Sequence, residues 1–228
     1  MAFPGLADRV RDIRDRISHH QATGGWSHPV RIVAVTKGHG PEAVRAAVEA
    51  GLEDVGENRV QEALAKQDQL RDVPVRWHLI GPLQRNKARH VVGRFVLIQA
   101  VDREELAVEL ARRVGTGPRQ PVLLEVNCSG EAQKAGVDPA ALPGLLDTIR
   151  GLPALEVRGL MTLAELTDDV TRQRRAFALL RELRDRMTAE GHALPELSMG
   201  MSGDFGVAVE EGATMVRLGT LLFGERAQ

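Results

Sequence analysis

A chain of 228 residues suits one large α/β domain, and its 43% hydrophobic and 27% charged residues are typical of a soluble globular protein. The formal net charge of -1 gives no general attraction to nucleic acid or to a membrane surface, so we expect neither as a partner. The single cysteine, Cys128, excludes an internal disulfide, and the lack of a signal-peptide core or of any apolar run near roughly 20 residues predicts a cytoplasmic protein.

Helices and strands alternate along the whole chain. Apolar residues at helical spacing predict a first, amphipathic helix that ends at Gly24-Gly25. Eight apolar strands follow, with a helix predicted between each pair of neighbours; the strands cover 30–37, 52–55, 75–80, 95–101, 122–126, 155–163, 196–199 and 215–218. Eight such alternations predict a single (β/α)8 TIM-like barrel over 1–228, with the N-terminal helix completing the outer ring. An open, doubly wound sheet is the alternative.

The first strand carries the candidate nucleophile. Its apolar, β-branched run ends in Lys37, and a glycine-rich turn follows at 38–41. The carboxyl ends of parallel strands are where α/β proteins bind ligands. Partial desolvation there lowers the pKa of a lysine and makes its amine a usable Schiff-base nucleophile. The alternative is that Lys37 simply ends the strand and points into water.

Polar residues recur at the ends of the later strands. Each alone is more often structural: His78 could be a satisfied core histidine, and Asn58 could cap a helix. If the chain is a barrel, however, they converge on one mouth. These residues are Asn58, His78, Asn127, Ser198, Ser202 and Arg217.

The last two loops predict a phosphate site. The segment 198–206 places glycines and hydroxyls at the start of a helix, and Gly219-Thr220 adds backbone N–H groups and another hydroxyl. Barrels often bind phosphate with the loops after strands seven and eight. An ordinary cap at Ser202 and a tight turn at Gly219 are the alternatives. The glycines do not form a dinucleotide fingerprint, and no Cys/His cluster has metal-ligand spacing.

Six segments in order carry a family resemblance: Ala34–Lys37, Gly56–Glu62, Trp77–Lys87, Gly159–Thr162, Leu197–Ser202 and Met215–Thr220 with Phe223-Gly224. Together they resemble the YggS/PLPBP family of pyridoxal-phosphate (PLP) homeostasis proteins, which is similar to the N-terminal barrel of alanine racemase. The departures are small: Gly38-His39-Gly40 replaces a turn that commonly contains Thr or Lys, Arg59 stands where the family often has an aromatic residue, and Gly203 replaces a variable residue.

The resemblance implies a cofactor site. Lys37 would hold PLP as a Schiff base, and Arg217 would approach the pyridine nitrogen. Ser202, Gly219 and Thr220 would bind the phosphate with Ser198 close by. The residues implied to line the pocket are Asn58, His78 and Met161.

The residues limit the chemistry. An arginine does not readily give up its proton, so beside the pyridine nitrogen it makes PLP a weaker electron sink. The racemase that the chain resembles uses a tyrosine from a second domain, and this chain has no tyrosine. We expect a monomeric PLP carrier that serves apo PLP-dependent enzymes and is not itself an efficient enzyme. Two alternatives stay open: a weak racemase with His78 or Cys128 as second base, and a sugar-phosphate aldolase acting through Lys37.

Overall fold

Eight parallel strands close into a barrel in the computed structural model, which describes residues 3–131 and 134–225. The strands pair in chain order, and the eighth pairs with the first. They are β1 (Arg31–Val35), β2 (Asp54–Glu57), β3 (Arg76–Leu79), β4 (Leu97–Val101), β5 (Gln120–Glu125), β6 (Leu155–Met161), β7 (Glu196–Ser198) and β8 (Met215–Leu218). The predicted (β/α)8 barrel is confirmed, and the alternative of an open sheet is wrong. That 1–228 is a single domain stays a prediction, whose ends lie outside the described residues.

Helices surround the barrel in the predicted order. They are α1 (Leu6–Gly24), α2 (Pro41–Glu49), α3 (Val60–Gln69), a 3-10 helix (Arg85–His90), α4 (Glu104–Val114), α5 (Leu142–Arg150), α6 (Val170–Ala189), α7 (Phe205–Glu210) and α8 (Thr220–Phe223). After β8 the chain forms the single turn of α8, in which Leu222 and Phe223 are buried. Within the described residues, no helix combines the length and the apolar character needed to cross a membrane.

The second strand lies two residues later than predicted. The sequence pattern places the strand over 52–55, whereas β2 begins at Asp54 and runs through Gly56 and Glu57. A Cβ atom at Gly56 would lie 2.9 Å from Cγ1 of Val33 and 3.1 Å from Cδ1 of Ile80. Gly56 is therefore a strand residue that lets neighbouring side chains fill the narrow lumen.

The first helix completes the outer ring, as predicted. Four apolar residues of α1 are buried, and the helix packs against α7, α8 and α2. The guanidinium of Arg9 donates a hydrogen bond of 2.9 Å from Nε to the carbonyl oxygen of Leu222. Since α8 has only one turn, α1 covers the seam at which β8 meets β1.

Buried apolar side chains form two layers, one outside the ring of strands and one inside it. The large apolar cluster lies between the strands and the surrounding helices. A smaller cluster occupies the lumen and consists of Val33, Leu97, Ala100, Leu123, Met161 and Met215. Polar side chains take the remaining lumen positions, and they belong to the candidate site.

Candidate functional site

Lys37 lies just beyond the carboxyl end of β1. Successive residues of a strand alternate between its two faces, so Val33, Val35 and then Lys37 share the face that lines the lumen. Lys37 is half-buried. Gly38 follows in a left-handed conformation with φ of 79°, which turns the chain away from the mouth into α2. The structure thus places Lys37 at the end of the barrel that the sequence predicts.

A buried ion pair supports the backbone immediately before Lys37. The ammonium of Lys66 on α3 donates to Oε1 of Glu57 at 2.5 Å and to the carbonyl oxygen of Thr36 at 2.8 Å. The hydroxyl of Thr36 donates to the same Glu57 oxygen at 2.5 Å. All three residues are buried. This group is not among the predicted site residues, although the buried positions Val60 and Ala63 at helical spacing place Lys66 on the inner face of α3.

The two late loops meet at a serine hydroxyl. Oγ of Ser202 accepts hydrogen bonds of 3.3 Å from the backbone N–H groups of both Gly219 and Leu221. The carboxylate of Asp204 accepts from the N–H of Met201 and holds the first loop in place. Burial raises the pKa of Asp204, which the Met201 N–H and the Arg217 charge oppose. The structure therefore brings together the hydroxyl and backbone donors predicted for a phosphate.

The same loops lie against the end of β1. A Cβ atom at Gly219 would lie 3.4 Å from the carbonyl oxygen of Val35, two residues before Lys37. Thr220 follows as the first residue of α8. The predicted amine and the predicted phosphate donors therefore share one sector of the mouth, at the seam between β8 and β1.

Arg217 is buried inside the barrel, on the lumen side of β8. Its Nη1 donates to Oγ of Ser198 at 2.6 Å, and its Nη2 donates to the carbonyl oxygen of Thr162 at 2.8 Å. Burial lowers the pKa of Arg217 to about 10, against the opposing charges of Asp204 and Glu125. The guanidinium stays protonated at neutral pH and is a donor only.

Glu125 is a lumen residue that the sequence analysis missed. It lies two residues after Leu123 on β5 and is buried. Burial and the nearby charge of Asp102 raise the pKa of Glu125 to about 7, which the charge of Arg217 opposes. Near neutral pH this carboxyl is therefore partly protonated and can donate or accept a hydrogen bond.

His78 lies within the lumen and is 1% exposed. Its Nε2 is 2.8 Å from Oδ1 of Asp54, and its Nδ1 is 3.1 Å from Nε2 of Gln99. Burial opposes ionisation of Asp54, but hydrogen bonds from Arg76 and His78 outweigh it and hold the pKa of this carboxyl well below its usual range. His78 is connected to Ser198 through Gln99, whose Oε1 accepts from the Ser198 hydroxyl at 2.6 Å.

The other two predicted pocket residues take different positions. Asn58 directly follows β2 and is half-buried, with its backbone against Gly81: a Cβ at Gly81 would lie 2.6 Å from the Asn58 carbonyl oxygen. Met161 ends β6 and belongs to the apolar lumen cluster. Asn58 is thus at the rim, and Met161 is part of the floor.

Cys128 lies outside the lumen, in the loop that follows β5. Burial raises the pKa of this thiol to about 12, with a hydrogen bond to Thr162 opposing the shift, so a thiolate base is disfavoured at neutral pH. Asn127 is used within the same loop, where its amide donates to the Glu131 carbonyl oxygen at 2.9 Å. A surface cavity of about 660 Å³ lies beside this loop, with Arg172 of α6 on its other side. Across 3–131 and 134–225, no group of three or more His, Cys, Asp or Glu residues is placed to hold a metal ion.

The comparisons with known sequences agree on one protein family. The model of the alanine racemase N-terminal domain matches residues 9–227. A pyridoxal phosphate homeostasis protein of Aquifex aeolicus is 44% identical over 222 residues, covering 96% of this chain and 97% of the relative. A protein of the same name from Pseudomonas aeruginosa is 44% identical over 223 residues, covering 97% and 96%.

Solved structures share the fold. PipY of Synechococcus elongatus PCC7942, solved with PLP bound, is 39% identical with a TM-score of 0.84, covering 96% of this chain and 100% of that one. Alanine racemase of Bacillus anthracis has a TM-score of 0.72 at 19% identity, and the match covers 97% of this chain but 57% of the racemase. The likeness to the racemase is one of fold.

Proposed function

This chain belongs to the pyridoxal phosphate homeostasis proteins, within the family of alanine racemase N-terminal domains, and on that basis we propose that it binds pyridoxal 5′-phosphate (PLP) at the mouth of its barrel. One observation carries the proposal: Gly219 packs against Val35, so Lys37 and the donors around Ser202 lie in one sector of the mouth. That sector offers an amine for an aldehyde and backbone donors for a phosphate.

The residues present fit this cofactor. Ser202, Gly219 and Thr220 would bind its phosphate. Oγ of Ser202 accepts from the N–H groups of Gly219 and Leu221, which leaves its own hydroxyl proton to donate to a phosphate oxygen, and the phosphate would take over the Gly219 N–H when it binds. The amine of Lys37 would hold its aldehyde carbon as a Schiff base. Arg217 would face the pyridine nitrogen with Ser198 beside it. We assign the remaining wall of the pocket to Asn58, His78 and Met161.

When bound, PLP supplies an aldehyde that reacts with amines and a ring that withdraws electrons. The chain's own residues restrain that chemistry. Arg217 is protonated and can only donate, so beside the ring nitrogen it would favour the unprotonated ring and make the bound cofactor a weaker electron sink. The thiol of Cys128 is buried, and its high pKa makes it a poor second base. We infer a monomeric carrier or buffer of PLP that passes the cofactor to apo-enzymes without efficient turnover.

The test is an absorbance spectrum of the purified protein with PLP, before and after borohydride reduction. We expect a visible band that borohydride removes, with the reduced adduct mapping to Lys37 by mass spectrometry. Lys37→Ala should lose the band, and Lys87→Ala is the matched control that keeps it. Wild-type protein without a band, or trapped only when a sugar phosphate is added, would contradict the proposal and favour the aldolase alternative.

Delivery and turnover need separate measurements. The loaded protein should restore the activity of an apo PLP-dependent enzyme while free PLP is held at a level too low to do so. Incubation with single-enantiomer amino acids in deuterated water should give no α-deuterium beyond that produced by free PLP. Exchange above that level would favour the racemase alternative.

A further inference from the structure

Five buried side chains form a continuous row of hydrogen bonds through the barrel, which we call the lumen row: Arg217, Ser198, Gln99, His78 and Asp54. The four links measure 2.6 Å, 2.6 Å, 3.1 Å and 2.8 Å in that order. Arg217 lies towards the mouth, whereas Asp54 is the first residue of β2 and lies at the opposite end. The row thus spans the lumen between the cofactor end and the amino-terminal end of the strands.

The chemistry of the two ends fixes the direction of every link. A guanidinium only donates, so Oγ of Ser198 accepts a hydrogen bond from Arg217, and the Ser198 hydroxyl donates one to Oε1 of Gln99. The amide nitrogen of Gln99 then faces His78 and donates to Nδ1. A second contact of that amide nitrogen, 3.1 Å from the sulfur of Met215, agrees with this orientation because thioether sulfur is an acceptor.

The same logic fixes the protonation of His78. Since Nδ1 accepts from Gln99, it carries no proton, and the neutral ring keeps its proton on Nε2, which donates to Asp54. A flipped Gln99 amide would present its carbonyl oxygen to His78 and require an imidazolium. It would also leave Ser198 facing two donors. With a neutral His78, every member of the lumen row has its hydrogen-bond partners, and all of the hydrogen bonds run in the same direction from Arg217 to Gln99 and on to Asp54.

Other charged groups bracket the row without interrupting it. Arg76 of β3 binds Asp54 through Nε at 2.9 Å and Nη2 at 2.6 Å, and its side chain is 49% exposed. At the other end, Glu125 and Asp204 act on Arg217 by charge alone. Arg76 therefore balances the negative charge of Asp54. The uncharged residues in the middle of the lumen row orient Arg217 without adding a second cation.

We propose that Gln99 and His78 are positioning residues that hold the guanidinium of Arg217 for the ring nitrogen of PLP. This inference rests on the proposed function, and it gives a role to two residues that touch Arg217 only through Ser198. The Ser198 oxygen can accept from Arg217 because the Ser198 hydroxyl donates its hydrogen bond to Gln99. Without that acceptor, the buried Ser198 hydroxyl must rotate to find another acceptor. Arg217 then loses one of its two hydrogen-bond acceptors.

The experiment compares three variants by PLP titration, absorbance spectrum and ¹⁵N spectra of the histidine ring. Gln99→Met keeps the volume of the side chain and removes its hydrogen bonds to Ser198 and His78, together with the contact to the sulfur of Met215. Gln120→Met makes the same change at another buried glutamine, which binds Phe95 and Gly93 outside the row, and it is the matched control for general destabilisation. Gln99→Glu restores an acceptor for Ser198, and it forces His78 to become doubly protonated between two carboxylates.

We expect Gln99→Met to bind PLP about tenfold more weakly with a shifted absorption maximum, and Gln120→Met to stay within about twofold of wild type. Gln99→Glu should recover to within about threefold of wild type. In wild type, ¹⁵N spectra should show Nδ1 of His78 unprotonated, and in Gln99→Glu both ring nitrogens protonated. A wild-type His78 carrying its proton on Nδ1, or Gln99→Met binding PLP as wild type does, would overturn the inference.

The outcomes separate the two proposals. Wild-type protein that does not bind PLP refutes the proposed function and, with it, the role of the row. Wild-type protein that binds PLP while Gln99→Met binds equally well refutes only the role of the row. If Gln99→Met fails to fold, Gln99→Glu and the ring spectra of wild type still decide the inference.

Discussion

The ammonium of Lys66 lies 2.8 Å from the carbonyl oxygen of Thr36, the residue that immediately precedes Lys37. It also lies 2.5 Å from Oε1 of Glu57, so one buried cation joins α3, the end of β2 and the end of β1. The peptide that carries the candidate nucleophile is therefore held from behind by an ion pair that does not itself reach the lumen.

Breaking this ion pair on one side should destabilise the protein strongly. Lys66→Met leaves the carboxylate of Glu57 buried without its cation, and we expect a loss of about 3–5 kcal/mol in the free energy of unfolding. The double variant Lys66→Met/Glu57→Leu should recover most of that loss, because no buried charge remains. Urea unfolding measures both. Arg45→Met, which removes an exposed ion pair with Asp72, is the control and should change stability little. Equal losses in the single and double variants would contradict the expectation.

The hydroxyl of Ser202 should matter for PLP and little for folding. Ser202→Ala removes the oxygen on which the N–H groups of Gly219 and Leu221 converge. We expect PLP affinity to fall about tenfold in an absorbance titration, with a small change in melting temperature. Ser18→Ala on the exposed face of α1 is the matched control. Unchanged affinity in Ser202→Ala would move the phosphate site away from these loops.

Glu125 should make stability fall as pH rises. Its pKa is about 7 in the folded protein, above the ordinary glutamate value of 4.5, so the folded state holds the proton more tightly. Well below pH 4.5 both states are protonated and stability does not depend on this group. Between pH 4.5 and about 7 the unfolded state loses its proton first, so the free energy of unfolding falls by roughly 3 kcal/mol over that range and the loss is complete above pH 7. Glu125→Gln should therefore be more stable than wild type at pH 8 and equal to it at pH 4. Thermal unfolding at both pH values is the measurement, with exposed Glu105→Gln as the control for the loss of one charge.

Two glycines should respond in opposite ways to the same substitution. A Cβ at Gly159 on β6 would lie 1.9 Å from the backbone oxygen of Glu196 on β7, so Gly159→Ala must push the two strands apart. We expect a loss of about 3 kcal/mol or more, or failure to fold. Gly144 on α5 has no atom within 4 Å of the corresponding position, and Gly144→Ala should stabilise the helix by roughly 0.5–1 kcal/mol. Denaturant unfolding of both variants tests the pair; a stable Gly159→Ala would contradict the close approach.

The sequence predicts the architecture well because the alternation of elements is local. Apolar strands such as Arg31–Val35 and the amphipathic α1 are each specified within about 20 residues, and eight repeats of the unit allow few arrangements. Gly56 is the instructive exception. Its place inside β2 depends on Val33, which is distant in sequence and lies on the neighbouring strand β1.

The site is predicted only in part, for the same reason. Lys37 and Ser202 stand out because glycines flank them, and a glycine-rich turn is visible in the sequence. Gln99 and Glu125 lie inside strands among apolar neighbours, and Lys66 lies inside a helix among polar ones. Their partners come from other strands and helices, so their hydrogen bonds depend on the tilt and register of the closed barrel. No sequence pattern within a single strand or helix indicates that register.

The contact between Arg9 and Leu222 joins residues separated by 213 positions, and the seam it covers is also where Gly219 lies against Val35 of β1. During synthesis the amine of Lys37 is made directly after β1, whereas the loop that would bind a phosphate is made only after β8. A nascent or truncated chain that lacks β8 has Lys37 but neither Arg217 nor the loop that follows β8. We therefore expect such a chain to bind PLP only after β8 has been made and the ring of strands has closed.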